Sequence, residues 1–302
     1  MIAFASSITD GEMYRKAAEP GIRLAAEPDS VVLANAAAGS IFRSYNLILD
    51  QAAQLEDLEA LVLLHQDAEI ASPDACATIR RTLQDDPEVG VIGVVGAVGV
   101  RTIAWWEGSV TWASFTHRYT ELGGGEQPAL TWDTDDLPAF AATGEVDTVD
   151  GFVLVLSPWV VRNVRFDESL GQLHGYDFDF CLSVREAGRK VVTADFRVIH
   201  HHSLDLVSNP ETWLAAHERL AEKWAGRMPG VVEPDGDWRA RARRAEAEAS
   251  LARTQAVAAM MHADARLQQI ERDLKVTTDS LSWRITAPLR RANAYRRGRR
   301  TS

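Results

Sequence analysis

The sequence predicts an α/β fold: a mostly parallel sheet with helices on both faces, followed by a long C-terminal helix and a basic tail. Three observations carry this. Short apolar runs of strand length alternate with helically spaced segments over roughly the first 220 residues. A cluster of Pro and Gly, "RMPGVVEPDGD", then interrupts the pattern as a linker does. Charge also changes across that point. Residues 236–302 hold 15 Lys+Arg against 7 Asp+Glu, whereas the chain as a whole carries −11, so an acidic body bears a basic end.

Element by element, "IAFAS" is a short strand that breaks into the polar turn "SITDGEMY", leading to a helix. "SVVLANAAAG" reads as a strand and loop. "SIFRSYNLILDQAAQLED" places Ile41, Tyr45, Ile48 and Ala52 on one helical face, and "ALVLLH" is a buried strand. "SPDACATIRRTLQDD" predicts a helix with Ser72 as its N-cap and Pro73 at its first position. "VGVIGVVGAVG" is the next strand. Residues 101–148, with four tryptophans, a Gly triplet and "WDTDD", lack clear periodicity and predict a long functional loop or irregular strands. "VDTVDGFVLVLSP" is again a strand, "YDFDFCLSVREAG" a helix closed by Gly188, "KVVTADFRVIHHHS" one or two strands, and "PETWLAAHERLAEKWAG" a helix.

These readings give four segments: a domain over 1–226, a linker over 227–237, a long helix over 238–275 and a basic amphipathic tail over 276–302. In the long helix Ala249, Arg253, Ala256, Met260, Ala263, Leu267, Ile270 and Leu274 follow alternating spacings of four and three. That seam fits a coiled coil and hence a homo-oligomer; a helix packed on its own body fits it equally. The tail joins Leu281, Trp283, Ile285 and Leu289 to arginines at 290, 291, 296, 297, 299 and 300. It suits an anionic membrane surface, and a solvated end accounts for the same residues.

Composition excludes some classes. Hydrophobic residues at 46% and charged residues at 25% are ordinary for a globular protein, and the net negative charge argues against nucleic acid as a partner. Cys76 and Cys181 form no metal-spacing pattern, and the N-terminus has no signal-like apolar run. The expected location is the cytoplasm, with peripheral attachment at the inner face of the membrane left open.

The chemistry-bearing residues sit at strand ends. "LVLLHQDAEI" runs an apolar strand into His65, Gln66, Asp67 and Glu69. In extended chain His65, Asp67 and Glu69 share one face, an arrangement that suits a divalent cation; a His–Asp pair capping the next helix fits the same residues. "LHGYDFDF" places His174, Asp177 and Asp179 at a helix start, where the helix dipole favours carboxylates with or without a catalytic role. "VIHHHS" sets His200 and His202 on one face and His201 on the other. Trp105 and Trp106 read as core residues rather than a sugar-stacking pair, and "WDTDD" as a solvated acidic loop.

Taken in order, "LLHQDAEI", "GVIGVVGAVG" with "WWEG", "VDGFVLVLSP", "FDESLGQLHGYDFDFCLSVREAG" and "VIHHHS" resemble the glycosyltransferase family 2-like group, in a branch with His-Gln-Asp in place of Asp-x-Asp. The resemblance covers about residues 1–225. It implies a GT-A (Rossmann-like) fold, a nucleotide-sugar donor, a carbohydrate, lipid-linked or small-molecule acceptor, a divalent cation (Mn²⁺ or Mg²⁺) and inversion at the anomeric carbon. It also implies roles. Asp67 and His200 would meet the metal, and Asp177 would be the general base, with Tyr176 where the family has a glutamate. Ser6, Ser7, His65, Asp150 and Gly151 would line the donor site, His65 standing in place of an acid. Glu69, His174, Asp179 and His202 are further candidates. The products expected are surface polysaccharide, glycolipid or a glycosylated metabolite. The alternative is a catalytically silent assembly subunit acting through its C-terminal helix.

Overall fold

The structure is a computed structural model that describes residues 1–36, 39–100, 103, 105, 109–113, 115–119, 126–128, 143–202, 209–225 and 238–290. Its first half runs β1 (Ile2–Ile8), α1 (Gly11–Lys16), α2 (Ala18–Ala25), β2 (Val31–Ala36), α3 (Ile41–Ala52), β3 (Ala60–Leu64), β4 (Ala68–Ile70), α4 (Ala75–Asp85), β5 (Val89–Gly93) and β6 (Val95–Val98). There follow β7 (Ser109–Ala113), β8 (Phe115–Tyr119), β9 (Glu126–Pro128), β10 (Glu145–Val146), β11 (Thr148–Val149), β12 (Val153–Leu156), α5 (Pro158–Asn163), α6 (Tyr176–Glu186), β13 (Lys190–Thr193), β14 (Val198–His202) and α7 (Pro210–Trp224). Two helices end the described chain, α8 (Trp238–Asp279) and α9 (Leu281–Ile285).

Seven strands form the central sheet in the order β10-β13-β5-β12-β3-β1-β2. Five of them point one way; β12 runs antiparallel to both its neighbours, and β10 antiparallel to β13. Every residue of β3, β5 and β12 is buried. Since side chains alternate across a strand, this means that both faces of the sheet are covered. Phe42, Tyr45, Ile48, Leu49 and Ala52 form the buried face of α3, which packs on β1 and β2, while α5 packs on β3 and β5. Two smaller sheets flank the first, β11-β6-β7 and β4-β14-β8-β9.

The sequence expectations hold in outline and shift in detail. Ser40 caps α3 by accepting from the Arg43 amide, Asp10 caps α1, and Gly188 closes α6 with a φ of 78°. The run "VGVIGVVGAVG" is two strands in two sheets, because β11 crosses against it. A Cβ at Gly93 would overlap Val149, and one at Gly96 would meet the Thr148 carbonyl at 2.7 Å, so glycine permits that crossing. Ser72 is not the cap of α4; Asp74 occupies that position without a side-chain bond. Trp105 is buried in the core, while Trp106 and "WDTDD" lie outside the described residues.

The chain divides into two compact units, residues 1–246 and 247–302, so the division falls within α8. In the second unit Met260, Leu267, Ile270 and Leu274 of the apolar seam are exposed, as are Leu281, Ile285 and Leu289 of the tail. The Arg290 guanidinium lies 3.6 Å from the Trp283 ring centre; residues 291–302 lie outside the described residues. No helix among the described residues is long and apolar enough to cross a membrane.

A buried ion pair ties the first unit together behind the sheet end. Arg185 of α6 donates to Asp147 Oδ1 at 2.7 Å, and Asp147 Oδ2 accepts from the Gly99 and Val100 amides at 2.6 and 3.3 Å. The two side chains are 9% and 5% exposed. Removing one member leaves the other charged and desolvated, so Asp147→Ala is expected to cost about 3 kcal/mol, read as a lower urea midpoint at unchanged slope.

Candidate functional site

The strand ends on one edge of the central sheet assemble the site. His65 follows β3, and its amide donates to the Phe152 carbonyl at 2.9 Å. Because β12 runs antiparallel to β3, the residues before β12, Asp150 and Gly151, arrive at the same edge as the residues after β3. Residues 65–68 do not continue as extended chain: the Ala68 amide bonds back to the His65 carbonyl at 3.1 Å, closing a turn. The turn aims Asp67 towards β14, whose His201 amide donates to the Asp67 carbonyl at 2.8 Å.

Three side chains converge there. Asp67 Oδ1 is 3.8 Å from His65 Nδ1 and 3.7 Å from His200 Nε2, and one ligand atom from each residue lies within 4.8 Å of the others. His200 is held from behind by Phe152, whose ring stacks on it at 4.6 Å. Burial opposes ionisation of Asp67, but the His200 imidazole, with His65, more than offsets it and holds the carboxyl well below the usual carboxylate range. One carboxylate and two imidazoles are a donor set that can hold a divalent cation, leaving its other positions for oxygen ligands.

Beside this cluster lies a pair of acids. Asp177, in the first turn of α6, accepts from the Gly151 amide through Oδ2 and from the Phe178 amide through Oδ1, each at 2.9 Å. Burial, then the nearby Asp150 charge, push its carboxyl up to about 7 despite those bonds. Burial also raises Asp150, whose Oδ1 accepts from the Phe152 amide at 3.2 Å. Asp150 is raised further by the Asp67 charge, and its own charge in turn raises Asp177, so the site can carry a proton near neutrality.

The remaining sequence candidates scatter. Glu69 stands apart from His65 and Asp67, because the turn at 65–68 breaks the alternation; it bonds instead to His201 Nε2 at 2.9 Å. Asp179 is buried under α7, where it takes bonds from Lys223 and Trp224, so it fastens a helix. His174 is partly exposed before the left-handed Gly175, and His202 is placed only by its backbone pairing with Tyr119. At the end of β1 Ser6 is fully buried and Ser7 partly exposed.

Residues 3–220 match the Glycosyltransferase like family, most of the chain. The chain belongs to this family. As a glycosyltransferase it has a curated relative in the streptomycin biosynthesis protein StrF of Streptomyces griseus, 28% identical over 207 residues that make up 67% of each chain. Among solved structures, GalNAc-T7 with UDP, GalNAc and Mn²⁺ superposes with a TM-score of 0.51 at 11% identity, over 75% of this chain and 48% of that one. The glycosyltransferase thus spans about half the length of that structure, and the likeness shows the GT-A fold.

Two residues that bond to the candidate site escaped the sequence reading. Tyr176 stood out only as a departure from the resemblance, yet its hydroxyl reaches His65 Nε2 at 2.6 Å. Gln66 falls on the opposite side from His65 in extended chain. Its Oε1 accepts from the Thr9 and Asp10 amides at 2.8 and 2.9 Å, and its Nε2 donates to Thr9 Oγ1. It thereby ties the loop after β1 to the turn that carries Asp67. Gln66→Ala removes the oxygen that accepts from both amides; at about 1 kcal/mol per bond, hydrogen exchange at Thr9 and Asp10 is expected to speed up roughly 5-fold or more, with exchange in β3 unchanged.

Proposed function

We propose that the glycosyltransferase moves a sugar from a nucleotide-sugar donor to a hydroxyl acceptor with the help of a divalent cation, with inversion at the anomeric carbon. The convergence of His65, Asp67 and His200 at one strand edge carries this reading. Asp67 and His200 are the cation ligands, and His65 joins them. Bound there, a cation neutralises the charge that develops on a departing nucleoside diphosphate. Ser7, at the end of β1 beside the loop held by Gln66, is positioned for the nucleotide, with the buried Ser6 beneath it; Asp150 and Gly151 lie under the transferred sugar.

Asp177 is the base that takes the acceptor proton. Its lone pairs not used by the backbone amides remain available, and its raised affinity for a proton is what a base working near neutrality needs. The acceptor is a carbohydrate, a lipid-linked sugar or a small molecule, and the product a surface polysaccharide, a glycolipid or a glycosylated metabolite.

Two imidazoles beside one carboxylate favour Mn²⁺ over Mg²⁺, which prefers an all-oxygen shell. Mn²⁺ with a matching sugar nucleotide, from a panel that begins with UDP sugars, is expected to raise the melting temperature. At 100 times Kd the gain is about 2.7 kcal/mol. Asp67→Ala should abolish it. No response to any donor in the wild-type chain overturns the reading.

The pH dependence has a definite sign. A base must be ionised, and burial with the Asp150 charge raises Asp177 to about 7. The rate at limiting substrate, kcat/KM, is therefore expected to fall as pH drops through about 7. An ordinary carboxylate would keep it level to about pH 4. A profile flat down to pH 5 would remove Asp177 from the role.

A further inference from the structure

We infer that Tyr176 is a positioning residue for His65: its oxygen accepts the Nε2 proton, so that Nδ1 is the nitrogen presented to the cation. This rests on reading His65, Asp67 and His200 as a cation site.

The geometry distinguishes the two ring nitrogens. His65 Nε2 lies 2.6 Å from the Tyr176 hydroxyl, whereas Nδ1 is the atom that faces Asp67 Oδ1, at 3.8 Å. A neutral imidazole has one protonated nitrogen and one with a lone pair, and only the second binds a metal. Two ligands about 2.1 Å from one ion at 90–120° are roughly 3.0–3.6 Å apart. The separations of 3.7 and 3.8 Å around Asp67 therefore need an adjustment of only a few tenths of an ångström. For Nδ1 to offer its lone pair, Nε2 must keep its proton and donate a hydrogen bond through it to the phenol oxygen. A hydroxyl can accept that bond, and it can equally donate to Nε2 when the ring takes the other tautomer. Tyr176 can thus hold the ring in place before and after an ion arrives.

The phenol itself has little freedom. It is buried against Phe42, Tyr45 and Phe166, with ring centres 6.2, 5.7 and 6.2 Å away. On its remaining side a Cβ at residue 151 would overlap the hydroxyl and the ring. A rigid aromatic box and one glycine fix where the oxygen stands, and the oxygen fixes the ring of His65.

The test uses the full chain. Free Mn²⁺ is measured by electron paramagnetic resonance during titration of wild type, Tyr176→Phe and Asp67→Ala. Nitrogen-15 correlations of the histidine rings are recorded with and without Zn²⁺ as a diamagnetic probe. The phenylalanine retains the aromatic packing and loses only the oxygen. It is expected to weaken Mn²⁺ binding about 10- to 100-fold, with the metal-free stability lowered by no more than about 1 kcal/mol, the worth of one hydrogen bond. In wild type, Zn²⁺ should shift His65 Nδ1 while Nε2 stays protonated, and Tyr176→Phe should erode that pattern. Wild-type Mn²⁺ affinity in Tyr176→Phe, or a Zn²⁺ shift on Nε2 in wild type, overturns the inference while leaving the cation site standing. Absence of Mn²⁺ binding in wild type overturns both.

Discussion

The antiparallel seating of β12 beside β3 is the constraint on which the rest depends. In a sheet whose strands all ran one way, the start of the strand next to β3 would lie at the opposite edge from His65. Reversing it brings Asp150 and Gly151 to the turn after β3, and the bond from the His65 amide to the Phe152 carbonyl sets the register. Phe152 then does a second task, since its ring backs His200. One strand therefore supplies the buried middle of the sheet and a wall of the site.

Charge at this edge is concentrated against the preference of a buried environment. Asp67, Asp150 and Asp177 would all be cheaper neutral, and the surroundings resolve the conflict differently for each. Asp67 faces imidazoles and stays ionised, whereas burial raises Asp150 and Asp177, helped by the Asp67 charge at the first and the Asp150 charge at the second. The separation gives the site one carboxylate fit to hold a cation and another pair fit to hold a proton. The cysteines take no part: burial raises Cys76 to about 11 and Cys181 to about 12, which keeps both thiols protonated and unreactive.

Much of this architecture was legible in the residues. Buried strands announce themselves as unbroken apolar runs, and α3 by its spacing of Tyr45, Ile48 and Ala52, because packing against a sheet demands those periods. Asp67 and His200 could be named because polar groups at strand ends need a reason. What the sequence could not show was direction. Periodicity is the same for a parallel and an antiparallel strand, so nothing in "GFVLVL" reveals that β12 is reversed. The failure at Glu69 has a related cause: alternation was carried one turn too far, through residues where the backbone bends. Tyr176 and Gln66 were missed because each acts on a partner more than 50 residues away, a relation that only the fold creates.

The space left by the missing side chain at Gly151 is filled by the ring and hydroxyl of Tyr176, which ties the two positions together. With any larger residue at 151, a phenol at 176 would meet a Cβ where its ring and oxygen now sit. A side chain at 151 is therefore admitted only after the tyrosine has given way to a smaller residue.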